Sequence, residues 1–284
     1  MAIEPQLLLD HDFGIIEQSY EPRDAILYAL GLGVGQDPTD PFDLAMLDEV
    51  HLSVLSTYAV TMASPGMWIK DPAFGVDFSK LVHTEQMAWF KGELPASGRI
   101  KGRAKVKSLT DRGEGRGAVL VVEREIEDAE TGALYCRLQQ TLLLRGDGGF
   151  GGMAAPRNAD VLPDRVPDQI ATATTSPRTA LIYRLSGDWN PLHISPVAAK
   201  AAGFERPILH GLASYGIAGT TISRALSQDP CNLSQLGCRF SGIVIPGDEI
   251  RFEIWAGEQN GAFFRAFAND RKVLDDGRIN WENG

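Results

Sequence analysis

Two titratable side chains, Asp188 and His193, lie five residues apart in the segment GDWNPLH, either side of an Asn190-Pro191 step. Asn before Pro reads as a cap followed by a helical first turn, so one loop can face both side chains into one cavity. A carboxylate and an imidazole converging on one water can act as base and acid for adding or removing it. Seventeen residues after His193, His210-Gly211 opens a long apolar pattern. A helix start offers unpaired amides and a positive dipole end, and glycine lets a carbonyl approach closely. An oxyanion or enolate is stabilised in that way. His210 reads better as a capping or packing residue than as part of the chemistry, and His11 and His51 have no partner pattern.

These residues need elements to hold them. After SPVAAKAAGF, with Ser195 as cap and Pro196 at the first helical position, HGLASYGIAGTTISRAL places Leu212, Tyr215, Ala218, Ile222 and Ala225 on one stripe of a long helix. Strands follow in LGCRFSGIV, EIRFEIWAG, GAFFRAFAN and KVLDDGRINW. The first half repeats the order: a helix in DAILYALG, then RIKGRAKVK, AVLVVEREI and ALYCRLQQTLLL as an antiparallel meander. Between the halves, Gly146 to Gln169 is rich in Gly, Pro and Asp and reads as a linker. Helix followed by antiparallel sheet, twice, predicts an α+β duplication, although identity between the halves is too weak to align.

Length and composition limit the partners. The chain has 284 residues, 27 Lys and Arg against 37 Asp and Glu, for a net charge of −10. That is enough chain for one large or two modest globular units, and the acidic balance argues against nucleic acid. Cys136, Cys231 and Cys238 form no metal or redox spacing and read as buried small hydrophobes of a protein in a reducing compartment. No window is apolar enough to cross a membrane, and neither a signal peptide nor a peroxisomal ending is legible. The expectation is a cytoplasmic protein with no membrane partner. GLGVG ends a helix instead of following a strand, which argues against a dinucleotide loop. Arg99, Lys101, Arg103, Lys105 and Lys107 share one strand face; a solvated, aggregation-resistant edge strand explains them better than a groove for an anion.

YRLSGDWNPLH followed by FERPILHGLASYG resembles the hydratase 2 motif of the MaoC-like (R)-specific enoyl-CoA hydratases. With YALGLG, LVHTEQ, the DRGEG hairpin, GGFGG and RFSGIVIPGDEIRFEIW, the likeness extends to the double hot-dog hydratase region of peroxisomal multifunctional enzymes of type 2. It implies a double hot-dog, two antiparallel sheets each wrapped on a long central helix. The N-terminal hot-dog would span 1–148, a linker 149–174 and the C-terminal hot-dog 175–284. It implies reversible syn hydration of trans-2-enoyl-CoA to (R)-3-hydroxyacyl-CoA in fatty acid metabolism and β-oxidation, with no metal or other cofactor, CoA being part of the substrate, in a homodimer. Asp188 and His193 would be the catalytic pair, Asn190 would hold the water and the pair, and the Gly211 amide would receive the thioester oxygen. Substrate contacts would fall on His83, Thr84, Arg112, Trp189, Pro191, Leu192 and Phe240. The family's hairpin turn usually has lysine where Arg112 stands, and many members have glycine in place of Thr84. The first half contains no D-x-N-P-x-H, so one site per chain is expected, the first half making room for the acyl chain. A thioesterase on the same fold and a non-catalytic acyl-CoA-binding subunit are the alternatives.

Overall fold

The computed structural model describes residues 3–151, 162–257 and 260–282. Helices α1 (Pro5–Leu9), α2 (Pro22–Gly31) and α3 (Pro41–Leu44) belong to the first half, and α4 (Thr179–Tyr183), α5 (Pro196–Ala201) and α6 (Gly211–Ala225) to the second. The strands of the first half are β1 (Ile15–Tyr20), β2 (Leu81–Phe90), β3 (Gly98–Asp111), β4 (Ala118–Asp128) and β5 (Leu134–Leu144). Those of the second are β6 (Gln169–Thr174), β7 (Leu233–Phe240), β8 (Glu249–Ala256), β9 (Gly261–Ala268) and β10 (Arg271–Trp281).

All ten strands form one antiparallel sheet, ordered β1-β3-β4-β5-β2-β7-β10-β9-β8-β6. Taken inward from its own edge, the first half runs β1-β3-β4-β5-β2 and the second β6-β8-β9-β10-β7, the same order. Topology therefore displays the duplication that residue identity does not. The two expected sheets are fused where β2 meets β7, with Glu85 opposite Arg239 and Trp89 opposite Gln235. Antiparallel pairing satisfies the strand edges that two separate sheets would leave open.

Among the described residues, a helix as long as fifteen residues occurs in the second half alone, where α6 lies against the sheet. Residues Ala213 to Gly219 of α6 are buried on every side, beyond the single stripe expected, and Tyr215 donates its hydroxyl to the Leu236 carbonyl at 2.8 Å. Between β1 and β2 the first half has a short 3-10 helix over Ser56–Val60 instead. Its helix α2, closed by a capping box between Glu21 and Asp24, packs across the seam. Two glycines permit this approach: a Cβ on Gly31 would stand 3.0 Å from the Tyr183 Cα, and one on Gly216 2.7 Å from Leu32 and 2.8 Å from the Tyr28 hydroxyl. The main apolar core is continuous through both halves, and a second cluster around Leu8, Phe74, Leu120 and Leu144 lies within the first.

Two expectations are corrected. The linker assigned to 149–174 ends early, because Gln169–Thr174 is strand β6, paired along β8; residues 152–161 of that linker lie outside the described residues. Its glycine-rich start is held by the Asp111 carboxylate, which accepts the Gly149 and Gly151 amides as well as that of Gly113. The basic strand is not an edge either, because β1 pairs with its first six residues. Its cations are met by carboxylates: Glu17 by Arg99, Glu127 by Arg103, and Glu123 by both Lys105 and Lys107. Such exposed pairs add little stability, but they consume the charge an anion would need.

Candidate active site

The chain leaves α4 through a 3-10 turn over Arg184–Ser186 and reverses at Gly187, whose φ of +112° suits glycine. Two nested side-chain turns follow. The Asp188 carboxylate accepts the Asn190 amide at 3.2 Å, and the Asn190 side-chain oxygen accepts the Leu192 amide at 3.1 Å, capping a 3-10 turn over Pro191–His193. This delivers the half-buried Asp188 and the buried His193 to one point. His193 Nδ1–H donates to the Ile208 carbonyl at 2.9 Å, which leaves Nε2 as the basic nitrogen.

His210 completes the cluster. It is fully buried, and its ring stacks on His193 with centroids 3.7 Å apart and planes 28° apart. One ligand-type atom from each of Asp188, His193 and His210 lies within 4.8 Å of the others. Neither His210 ring nitrogen has a partner in hydrogen-bonding geometry. Burial first, then His193 and Arg184, push its pKa down to about 3, with the Asp188 carbonyl pulling the other way. The His193 pKa is also lowered by burial, against the Ile208 carbonyl and the Asp188 charge. Both rings are therefore neutral at ordinary pH. A zinc ion bound by two imidazoles needs in-plane lone pairs meeting at about 2.0–2.1 Å. The ligand atoms of Asp188, His193 and His210 are close enough together to hold a metal ion, although the near-parallel stacked rings direct their in-plane lone pairs side by side.

The start of α6 adjoins this point. The Ala213 and Ser214 amides bond to the His210 carbonyl, while the Gly211 amide has no acceptor among the described residues. Phe240 lies against the exposed Gly211, whose added Cβ would stand 3.3 Å from that ring. His83 on β2 stacks edge-on against Phe240 at 4.9 Å and feels the Asp188 charge. Burial lowers its pKa to about 4. Its Nε2–H donates to the Glu85 carbonyl at 3.0 Å, and Gln140 donates to its Nδ1 at 3.3 Å. His83 and Phe240 thus bring the first half's sheet to the second half's loop.

Other candidates fall outside the cluster. Thr84 spends its hydroxyl on the Thr141 carbonyl of β5, at the irregularity in the β2–β5 register. Arg112 is exposed on the β3–β4 hairpin, fixed there through its backbone bond to Gly117, and its side chain meets nothing among the described residues. Trp189 is 53% exposed, with the Arg184 guanidinium over its ring at 4.4 Å. Pro191 is exposed and Leu192 half-buried, both positioned by the turn. Asn190 contacts Asp188 through its backbone amide while its side chain caps.

Sequence reasoning underrated two residues. His210 makes no side-chain cap and lies in the cluster itself. Tyr183, buried with its hydroxyl unpartnered, packs 5.0 Å from His210. Only its place at the head of YRLSGDWNPLH hinted at this. Two cavities lie elsewhere, about 540 Å³ beside Ala256, Phe263 and Arg278 and about 460 Å³ beside Phe42, Arg224 and Cys231.

The family described as "MaoC like domain" matches residues 158–274, and "MFE-2 hydratase 2 N-terminal domain" matches residues 18–146. The chain is 36% identical to 3-hydroxyacyl-thioester dehydratase Y of Mycobacterium tuberculosis over 100% of both chains. To "Enoyl-CoA hydratase 2, peroxisomal" of Arabidopsis thaliana it is 34% identical, over 88% of this chain and 86% of that one. The crystal structure of a MaoC-like dehydratase from Phytophthora capsici superimposes with a TM-score of 0.81 at 29% identity, covering 98% of this chain and 99% of that one.

Proposed function

This chain belongs to the MaoC-like hydratase 2 family, and from that premise we propose that it adds water to trans-2-enoyl-CoA, giving (R)-3-hydroxyacyl-CoA, and runs the reverse dehydration. The observation that carries this reading is the convergence of Asp188 and neutral His193 next to the start of α6, where the Gly211 amide has no acceptor among the described residues.

In this reading the thioester carbonyl oxygen accepts the Gly211 N–H at the positive end of α6, which draws charge from C3. The water lies between the Asp188 carboxylate and His193 Nε2. Its oxygen bonds to C3 while one of its protons passes to this pair, and the negative charge gathers on the thioester oxygen as an enolate. The pair then returns one proton to C2 on the same face, so one water is consumed and both groups are restored. A low His193 pKa keeps Nε2 unprotonated and ready for this role. His83 from the first half and Phe240 at the end of β7 wall the site. The first half accommodates the acyl chain, and the exposed Arg112 is the cation offered to the CoA phosphates.

The test is direct. Purified protein mixed with crotonyl-CoA or a longer trans-2-enoyl-CoA should bleach the enoyl-thioester absorbance, and the product should be oxidised by an (R)-specific, not an (S)-specific, 3-hydroxyacyl-CoA dehydrogenase. Release of free CoA thiol would assign a thioesterase instead, and binding without turnover an acyl-CoA-binding subunit. Activity that survives a chelator and needs no added cofactor, from a homodimer in sedimentation, completes the proposal.

A further inference from the structure

His193 is constrained on two sides. At its edge, Nδ1–H is tied to the Ile208 carbonyl, and on its face lies the ring of His210. A hydrogen bond at one ring nitrogen leaves the imidazole able to swing about that bond. A flat group against the face removes the swing. His210 is itself wedged: Tyr183 lies 5.0 Å from it, Tyr28 5.8 Å from Tyr183, and Tyr58 5.2 Å from Tyr28. This aromatic column runs from the first half's 3-10 helix over Ser56–Val60, through α2 and α4, to the cluster, and the Tyr28 hydroxyl anchors it on the Thr57 carbonyl at 3.0 Å.

The His210 nitrogens make no hydrogen bond of good geometry, although the Asp188 carbonyl faces the ring closely enough to favour its protonated form. His210 donates no cap bond to α6, so capping does not account for it.

We propose that His210 is a positioning residue of the hydration reaction: its ring is the plate against which His193 is laid, fixing the free nitrogen of His193 toward Asp188 and excluding bulk water from that face. The inference rests on the hydratase reading for its kinetic test and on geometry alone for its spectroscopic one. The charged and titratable groups around the pair come from three elements. Asp188 and Arg184 lie on the loop after α4, with Tyr183 at the end of α4, and His83 reaches Asp188 from β2.

The variants H210F and H210N separate a plate from a polar partner. Phenylalanine keeps a flat ring and loses the nitrogens, whereas asparagine keeps hydrogen-bonding groups and loses the ring. H210N is expected to lower kcat on the order of 100-fold, as misplacement of a reacting group does, with KM for crotonyl-CoA little changed. The acid limb of its kcat/KM profile should rise toward the ordinary imidazole value, because water reaches His193. H210F should retain the wild-type acid limb and most of kcat. A merely structural role would not move the acid limb.

NMR titration of ring-labelled histidine in the full chain reads the same shift at His193 without any turnover. If wild type hydrates no enoyl-CoA, the functional reading fails, and the titration still decides the positioning. A His193 titration that matches wild type in H210N, or one restored by asparagine and not by phenylalanine, overturns the proposal.

Discussion

Folding stability should fall in mildly acidic solution, between about pH 6.5 and 5, before any carboxylate is protonated. The reason is a set of histidines that must stay neutral to stay buried. His210 has its pKa lowered from 6.5 to about 3 and His83 from 6.5 to about 4, both chiefly by burial. Above pH 6.5 neither state binds these protons and the two groups contribute no pH dependence. Below it the unfolded chain takes up a proton at each site and the folded protein does not, until the folded pKa is reached. Each group's cost approaches about 1.4 kcal/mol per pH unit once the unfolded imidazole is protonated, so the two together cost about 3 kcal/mol between pH 6.5 and 5. His193 is shifted the same way and adds to the loss. Carboxylates with lowered pKa, such as Asp128 at about 2, lose their contribution only below the ordinary carboxylate range, so the windows are separate. Urea unfolding followed by circular dichroism at half-unit pH steps measures this, and H210F should lessen the slope by about one proton. A midpoint that is unchanged from pH 7 to pH 5, at constant m-value, would falsify the neutral-cluster argument.

Other substitutions address different links. Asp188→Asn should reduce hydration by about 10²–10⁴-fold with an unaltered thermal midpoint; an active Asn variant would remove Asp188 from the chemistry. Gly216→Ala drives a methyl against Leu32 and the Tyr28 hydroxyl, and overpacking of that kind should cost about 1–3 kcal/mol, read as a lower urea midpoint. Arg112→Ala should raise KM for CoA thioesters and leave kcat in place, the signature of lost ground-state binding; an unchanged KM would place the CoA phosphates elsewhere. Prolonged dialysis against a chelator should leave activity intact.

The chemistry-bearing loop was legible because its geometry is local. Gly187, Asp188, Asn190 and Pro191 write their own turns within five residues, and the Ser195 cap and the α6 pattern are equally short-range. Strands β3 to β5 and β7 to β10 followed from alternation and turn residues for the same reason. Strand β6 was hidden in what read as linker, because Gln169–Thr174 is only half-buried or exposed at an edge and carries no apolar run. The basic face of β3 was misjudged because its neutralising carboxylates come from β1 and β4, the Glu17 of β1 lying more than eighty residues before Arg99.

By itself, then, the sequence determined two helix-then-sheet halves, an Asp/His loop in the second, and a glycine at the head of its long helix. Tertiary structure decided what those residues meet. The fusion of the sheet at β2 and β7 puts His83 beside Asp188 and against Phe240. Packing of α2 through Gly31 and Gly216 extends an aromatic column to His210. Burial in that packing, and no property of histidine alone, turns three imidazoles into neutral rings, since desolvation is set by everything the fold brings around a group and no spacing in the chain encodes it.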